Sequence, residues 1–349
     1  MVAMSGGVDS SVAAYLLKQQ GYECIGCTMK LYANEDVGAS KHTCCSLSDV
    51  EDARSVAYRL DMPYYVFNYT DDFRKKVIDK FVSEYTAGRT PNPCIDCNRY
   101  MKFDLLFHKA EILGCDYIAT GHYAVIKEHC GQYALYKGLD GSKDQSYVLY
   151  QLTQEQLAHT LFPLGSLTKS EVRRIAEKNG FLNADKPDSQ DICFVPDGNY
   201  AEAIARFSGK TTPCGNFVDT CGNVLGEHKG IIHYTVGQRR GIGISSKAPL
   251  YVCRIHAEHQ EIVLGREEDL YSNAMTIRDM HWISGENPEG SFKCKVKIRY
   301  RGPEQPCEIF FHENHRAAVV FAASARAITP GQAAVFYNDE QILGGGIIE

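Results

Sequence analysis

The chain has 349 residues, 44% hydrophobic and 23% charged, with a formal net charge of −6, enough for about two or three domains. That charge excludes a uniformly basic nucleic-acid binder but allows a local basic patch. Apolar runs such as 2–4 and 317–323 are far shorter than the roughly 20 residues of a bilayer-spanning helix, and no basic-then-apolar leader opens the chain. A cytoplasmic protein without a membrane partner is therefore expected. Its fourteen cysteines should be mostly reduced, so clusters among them read as metal or catalytic sites.

Residues 1–4 form a short apolar strand, and the chain starts so nearly inside it that a further residue or two is expected before it. A helix is predicted over 8–20, with Val8, Val12, Leu16 and Leu17 on one face and Gly21 as its stop. Residues 24–31 read as a strand, and 47–60 as a helix capped by Ser46 or Ser48. A β-rich run at 64–69, helices over 71–85 and 100–113 and a strand over 116–120 follow. This alternation predicts a parallel sheet covered by helices. Beyond about residue 205 turn pairs become frequent, "LYVCRIHAEHQEIVLGRE" reads as a hairpin, and 280–349 alternates short β-rich runs with turns. That texture predicts a small β-containing connector and then an antiparallel barrel or sandwich. The layout is 1–205, 206–272 and 273–349.

"AMSGGVDSS", residues 3–11, lies between the first strand and the first helix. Two glycines allow close backbone approach to a phosphate, Ser5, Ser10 and Ser11 add hydroxyls, and the helix start adds unpaired N–H groups. The bland alternative is a tight strand-to-helix turn, but the string is too specific for that to be preferred. No Gly-Lys-Ser/Thr is present, so it is not a Walker A loop. It resembles the pyrophosphate loop (PP-loop) of ATP pyrophosphatases, which cut ATP between the α and β phosphates and adenylate a substrate oxygen. Donors on the loop would stabilise charge on the leaving pyrophosphate, and Mg2+ would assist, with Asp9 as ligand or water-orienting residue.

"TPNPCIDCNRYMKF", residues 90–103, contains a Cys-x-x-Cys pair, Cys94 and Cys97. Locally it fits a zinc site, a redox pair, cluster ligands or a catalytic thiol. Taken with "ATGHYA" (119–124), "KDQSYVLYQL" (143–152), "DSQDICFVPDGNY" (188–200), "YTVGQRRGIGI" (234–244) and "RYRG" (299–302), it resembles the tRNA-specific 2-thiouridylases over nearly the whole chain and in order. The resemblance implies an α/β fold: a parallel-sheet, adenine nucleotide alpha hydrolase-like PP-loop domain, a small central domain and a C-terminal β-barrel. It implies ATP on Ala3, Met4, Ser5, Gly6, Gly7, Val8, Asp9 and Ser10, with Met29 and Gly121 lining the adenosine pocket. Asn92, Pro93 and Cys94 match the segment facing the target base. His122, Lys143, Asp144, Gln145, Arg299, Tyr300 and Gln332 match tRNA contacts.

The implied reaction adenylates the uracil O2 of uridine 34 in the tRNA anticodon stem-loop and then brings sulfur to C2. Cys193 would carry a persulfide loaded by a sulfur-carrier protein or a cysteine desulfurase, and Cys97 would be its catalytic partner. Many relatives carry Asp at the position of Cys94. Cys94 therefore stands in for an acid/base or joins Cys97 and Cys193 as the third ligand of a [4Fe-4S] cluster, and both readings stay open. Another ATP pyrophosphatase acting on a different substrate is the nearest rival, but it would have no use for the two cysteines or a basic β-domain.

Other features read as structural. Cys44 and Cys45 lie in a loop before a capped helix, and Cys24, Cys115, Cys253, Cys294 and Cys307 read as core thiols. Residues 185–196 read as a loop that orders on substrate binding. On a strand, Lys293, Lys295, Lys297, Arg299 and Arg301 would project from one face as a phosphate-tracking stripe. If Arg299 and Tyr300 both touch RNA, that strand must end or twist there.

Overall fold

The structure, a computed structural model, describes residues 1–33, 47–188, 192–209 and 212–349. Cys44, Cys45 and the cap assigned to Ser46 lie outside these residues, as do 189–191 of the 185–196 loop.

Strands β1 (Val2–Ala3), β2 (Gly26–Lys30), β3 (Tyr64–Asn68), β4 (Ile118–Ala119) and β7 (Thr160–Leu161) form a parallel sheet in the order β3-β2-β1-β4-β7. From β1 the chain first winds outward through β2 and β3, then returns to the other side of β1 as β4. The order thus reverses beside β1, which opens a crevice at the carboxyl ends of β1 and β4 where such sheets bind ligands. Helices α1 (Val8–Gln19), α2 (Leu47–Arg59) and α6 (Lys169–Lys178) cover the sheet. Val8, Val12, Leu17, Ala53, Val56, Val172 and Ala176 form the buried layer between them.

Two further helices position the cysteine motif. The first, α3, runs over 70–86 and has a π-helical stretch at Arg74–Ile78. The second, α4, runs over 93–112 and is π-helical at Cys97–Leu105. It begins seven residues before the predicted start at 100. The Asn92 side chain accepts the Cys94 N–H at 3.1 Å and Pro93 occupies the first turn, both favourable features of a helix start.

The connector is a four-stranded sheet, β10 (Tyr251–His256), β11 (Glu261–Gly265), β8 (Gly215–Val218) and β9 (Val224–His228), with the predicted hairpin as β10–β11. In the C-terminal region β12 (Tyr271–Trp282), β15 (Arg316–Arg326), β14 (Gln305–His312), β13 (Ser291–Lys297), β16 (Ala333–Asn338) and β17 (Gln341–Ile348) pair antiparallel in that order. β17 pairs back onto β12, so the six strands close into a barrel.

The hairpin of β5 (Ala124–His129) and β6 (Gln132–Lys137) has no counterpart in the sequence reading. It leaves the parallel-sheet region and adds to the barrel through β6–β17 pairing, Gln341 with Tyr136 and Ile342 with Leu135. One apolar cluster accordingly spans both regions, with Phe103, Leu106, Leu135, Tyr147, Val335, Tyr337 and Ile342 buried together. A second cluster joins α3 and α7 (Tyr200–Ser208) to the connector through Phe81, Phe194, Phe207, Phe217, Val252 and Ile262. The cysteine motifs lie along it.

Candidate active site

The PP-loop leaves β1 and enters α1 at the crevice. Gly6 has φ +75°, and a Cβ there would lie 2.3 Å from the Asp49 carbonyl oxygen, so glycine is required. Gly7 precedes α1 without a side-chain cap, which leaves the first N–H groups of that helix available to an anion. Ser10 folds over the loop: its Oγ accepts the Ser5 N–H at 3.2 Å and donates to the Gly7 carbonyl at 3.1 Å. Gly121, just after β4, backs onto the loop so closely that a Cβ would be 2.8 Å from Asp9 C and Ser10 N. Met29, at the end of β2, faces the neighbouring side and is half-buried. Gly6, Gly7, Ser10 and Gly121 thus meet at the start of α1, an arrangement of backbone and hydroxyl groups that fits the phosphates of a nucleotide.

Sequence reasoning missed the groups that brace this loop. Asn183 Nδ2 donates to the Gly6 carbonyl and to Ser11 Oγ, both at 2.9 Å. Lys186 Nζ reaches the same carbonyl at 3.3 Å, pairs with Asp49 and lies 2.9 Å from Asp52. Asp9 accepts from Tyr123 Oη at 2.8 Å and from Lys169 Nζ at 2.7 and 2.8 Å. Burial, then the Asp9 charge and hydrogen bond, push the Tyr123 phenol up, which keeps it a donor. Pairs separated by more than a hundred residues leave no periodic trace in a sequence.

Cys97 heads the π-helical part of α4, half-buried, and packs on the same apolar cluster as Cys193. Phe194 anchors the Cys193 backbone among Phe81, Phe73 and Phe207, at centroid distances of 5.2, 5.7 and 5.9 Å in edge-to-face geometry. Tyr32 Oη donates to the Cys193 carbonyl at 2.9 Å. Cys94 is exposed on the turn preceding Cys97. Between them, Asp96 is buried and pairs with Lys80 at 2.8 Å. Burial raises the Asp96 carboxyl against the pull of Lys80. Among the described residues, no three His, Cys, Asp or Glu side chains gather closely enough to hold a metal ion.

Among the residues matched to tRNA contacts, Tyr300 and Gln332 bond across the seam between the parallel-sheet region and the barrel. Tyr300 Oη donates to the Asp144 carbonyl at 3.0 Å and its ring lies 5.7 Å from that of Tyr147. The Asp144 carboxylate accepts Gly138 N–H and Ser146 N–H at 3.1 Å each, and Gln145 Oε1 accepts Tyr123 N–H at 3.1 Å. Gln332 Nε2 donates to the carbonyl of Thr90, the first residue of the cysteine motif, at 2.7 Å. Lys143 pairs with Asp188 at 2.7 Å.

His122 is buried. Its Nδ1 lies 2.6 Å from Thr120 Oγ1, and its Nε2 lies 3.4 Å from Lys102 Nζ. Burial, with the Lys102 charge, holds the imidazole well below its usual pKa. The neutral ring can then accept from Lys102 and donate to Thr120.

The basic stripe is shorter than its spacing predicts. β13 ends at Lys297, and the Gly302 N–H to Arg299 carbonyl bond of 3.0 Å closes a turn. Arg299 folds inward to the carbonyls of Arg326 and Ala327 at 2.8 and 3.4 Å. Lys293, Lys295 and Lys297 remain on the strand; Lys295 pairs with exposed Asp339 at 3.2 Å, worth little.

The core-thiol reading holds for Cys24 and Cys307, which are buried, while Cys115, Cys253 and Cys294 are half-buried. No helix among the described residues is long and apolar enough to cross a membrane.

Comparison with known proteins agrees with this arrangement. Residues 1–197 match the family described as tRNA methyl transferase HUP domain, 203–266 the tRNA methyl transferase PRC-barrel domain, and 272–348 the aminomethyltransferase beta-barrel domain. The chain is 50% identical over 351 residues to the tRNA-specific 2-thiouridylase MnmA of Clostridioides difficile, covering 100% of this chain and 97% of that one. It is 51% identical over 353 residues to the protein of the same name from Acetivibrio thermocellus, covering 100% and 98%. A solved structure of the U34-tRNA thiolase NcsA from Methanococcus maripaludis with its [4Fe-4S] cluster aligns over 59% of this chain and 68% of that one, with 18% identity and a TM-score of 0.35. A PP-loop at the switch point of a parallel sheet, a closed C-terminal barrel and full-length identity of about half place this chain in the tRNA-specific 2-thiouridylase family of tRNA sulfurtransferases.

Proposed function

We propose that the chain converts uridine 34 of tRNA to 2-thiouridine, using ATP, a Cys193 persulfide and Cys97. The observation that carries this reading is the packing of Cys97 and Cys193, nearly a hundred residues apart in sequence, on one apolar cluster. ATP lies on the loop and transfers its adenylyl group to the uracil O2, releasing pyrophosphate. Mg2+ would supply charge neutralisation on the phosphates, with Asp9 orienting its water, since both Asp9 oxygens already accept from Lys169 and one also from Tyr123.

The sulfur step balances as follows. The terminal sulfur of the Cys193 persulfide forms a bond to C2, and the adenylated oxygen leaves as AMP. The Cys97 thiolate attacks Cys193 Sγ, so the sulfur–sulfur bond of the persulfide is exchanged for a Cys97–Cys193 disulfide. An external dithiol returns both thiols, and a sulfur-carrier protein or cysteine desulfurase reloads Cys193. Asn92, Pro93 and Cys94 face the base, which is splayed from the anticodon loop. The tRNA runs over the seam of His122, Lys143, Asp144, Gln145, Arg299, Tyr300 and Gln332, through their exposed atoms or by displacing the bonds they make.

Anaerobic purification with iron and sulfide analysis, followed by thiolation assays, tests the sulfur route. Full thiolation from a persulfide donor by iron-free protein is expected. Activity that tracks iron content and is lost in Cys94→Ser would replace the persulfide route by a [4Fe-4S] route.

The lysines of β13 should contribute to RNA affinity. Lys295→Glu with Lys297→Glu is expected to weaken tRNA binding and to flatten the plot of log affinity against log salt by about 1.4–1.8, at roughly 0.7–0.9 for each lost phosphate contact. An unchanged slope would reduce the stripe to a solvated barrel face.

A further inference from the structure

A chain of ion pairs connects the nucleotide loop to the segment that carries Cys193. Lys169 is 9% exposed and bridges both oxygens of Asp9, at 2.7 and 2.8 Å, to Asp188 Oδ1 at 2.8 Å. It is fixed as the first residue of α6 by the Thr168–Glu171 capping box, and its N–H donates to Asp140 Oδ2 at 3.0 Å. Asp188 takes two more cations, Lys143 at 2.7 Å and Arg173 at 3.0 Å. Arg173, one turn along α6 from Lys169, also holds the carbonyls of Ala184 and Lys186 at 3.1 and 3.3 Å, which fixes the approach to Asp188. Burial works to raise the Asp188 carboxyl, but the hydrogen bonds from Lys143 and Lys169 prevail and hold it at about 2. It is therefore an anion at any working pH.

Asp188 lies five residues before Cys193. Its three cations differ in what else they face. Lys169 shares Asp9 at the phosphate cradle, Lys143 is half-exposed on the seam, and Arg173 belongs to the scaffold. An anion arriving at the cradle competes for Lys169, and an RNA phosphate arriving at the seam competes for Lys143. Each event strengthens the reliance of Asp188 on the cation that is left, so neither can occur without altering the free energy of the other.

We propose that Asp188 is a positioning residue that couples nucleotide binding to RNA binding at the root of the Cys193 segment. The proposal rests on the functional reading above, since it needs both ligands. It gives the first residue of "DSQDIC" an electrostatic task separate from sulfur chemistry.

The test measures the affinity of the non-cleavable α,β-methylene analogue of ATP, with and without saturating tRNA, in the full chain. In wild type the ratio of the two dissociation constants should differ from one by about fivefold or more. Asp188→Asn should bring that ratio to within about twofold of one while the analogue still binds, and Asp188→Glu should restore part of it. Lys143→Gln cuts the same chain at its half-exposed end and should also reduce the ratio; it decides the matter if Asp188→Asn does not fold. A wild type without coupling, or an unchanged ratio in the variants, overturns the proposal. Thiolation by wild type in the same preparation keeps this outcome distinct: protein that binds both ligands and thiolates without coupling leaves the functional reading standing, whereas protein that never thiolates removes the reading beneath.

Discussion

Cys97→Ser and Cys193→Ser should each lower tRNA thiolation by about three orders of magnitude or more, with ATP binding unchanged. A serine hydroxyl ionises far less readily than a thiol, cannot carry a sulfane sulfur and cannot resolve a persulfide by exchange. Neither side chain belongs to the cradle formed by Gly6, Gly7, Ser10 and Gly121, so nucleotide binding has no reason to fail. Tracking ATP affinity, pyrophosphate release and 2-thiouridine in parallel separates the two half-reactions. Both variants should bind ATP normally and stop at the sulfur step. Thiolation retained by either would remove that cysteine from the mechanism, and lost ATP binding would mean that the cysteines act through the fold.

The second large effect is expected at the loop itself. Gly6→Ala should weaken ATP binding at least about tenfold and lower Tm, because two penalties coincide. The left-handed backbone costs a non-glycine residue roughly 1–2 kcal/mol. The new methyl would also sit 2.3 Å from a backbone oxygen of Asp49 and 2.8 Å from its Cα, neither of which can swing aside as a side chain can. Gly7→Ala is the control for stability. There φ is −87° and the nearest atom to the new methyl is Ser5 Oγ at 3.5 Å, an ordinary contact. Thermal melts should therefore separate the two substitutions, whatever Gly7→Ala does to the phosphate. Equal Tm values would mean that the loop does not press on α2 as described.

How much of this was legible beforehand depended on whether a signal was local. The PP-loop was readable because a strand, two glycines, hydroxyls and a helix start fall within nine consecutive residues. The β10–β11 hairpin was readable for the same reason. The start of α4 was also written in the sequence, as Asn92 followed by Pro93, but the helix was placed at Tyr100 because the π-helical stretch obscures a 3.6-residue pattern. The five-cation stripe followed from strict alternation, which holds only while the strand lasts; the turn at Arg299 ended it. Lys169, Asp188, Asn183 and Lys186 belong to the site through pairs 15 to 180 residues apart, the longer of them set only by how the sheet and helices pack. Their types and positions carried no pattern that spacing could reveal.

The β5–β6 hairpin has a consequence for how the molecule can be divided. Its outer partner, β17, is the last strand of the chain, while the hairpin itself lies just after Gly121 and the nucleotide cradle. A fragment ending near residue 266 would keep every cysteine discussed in the mechanism, yet it would expose the unpaired hydrogen-bonding edge of β6 and uncover Leu135. Naked strand edges of that kind seek other chains. The barrel is thus a fastening for the catalytic region as well as a candidate surface for RNA, and the enzyme is not assembled from parts that could be trimmed back one at a time.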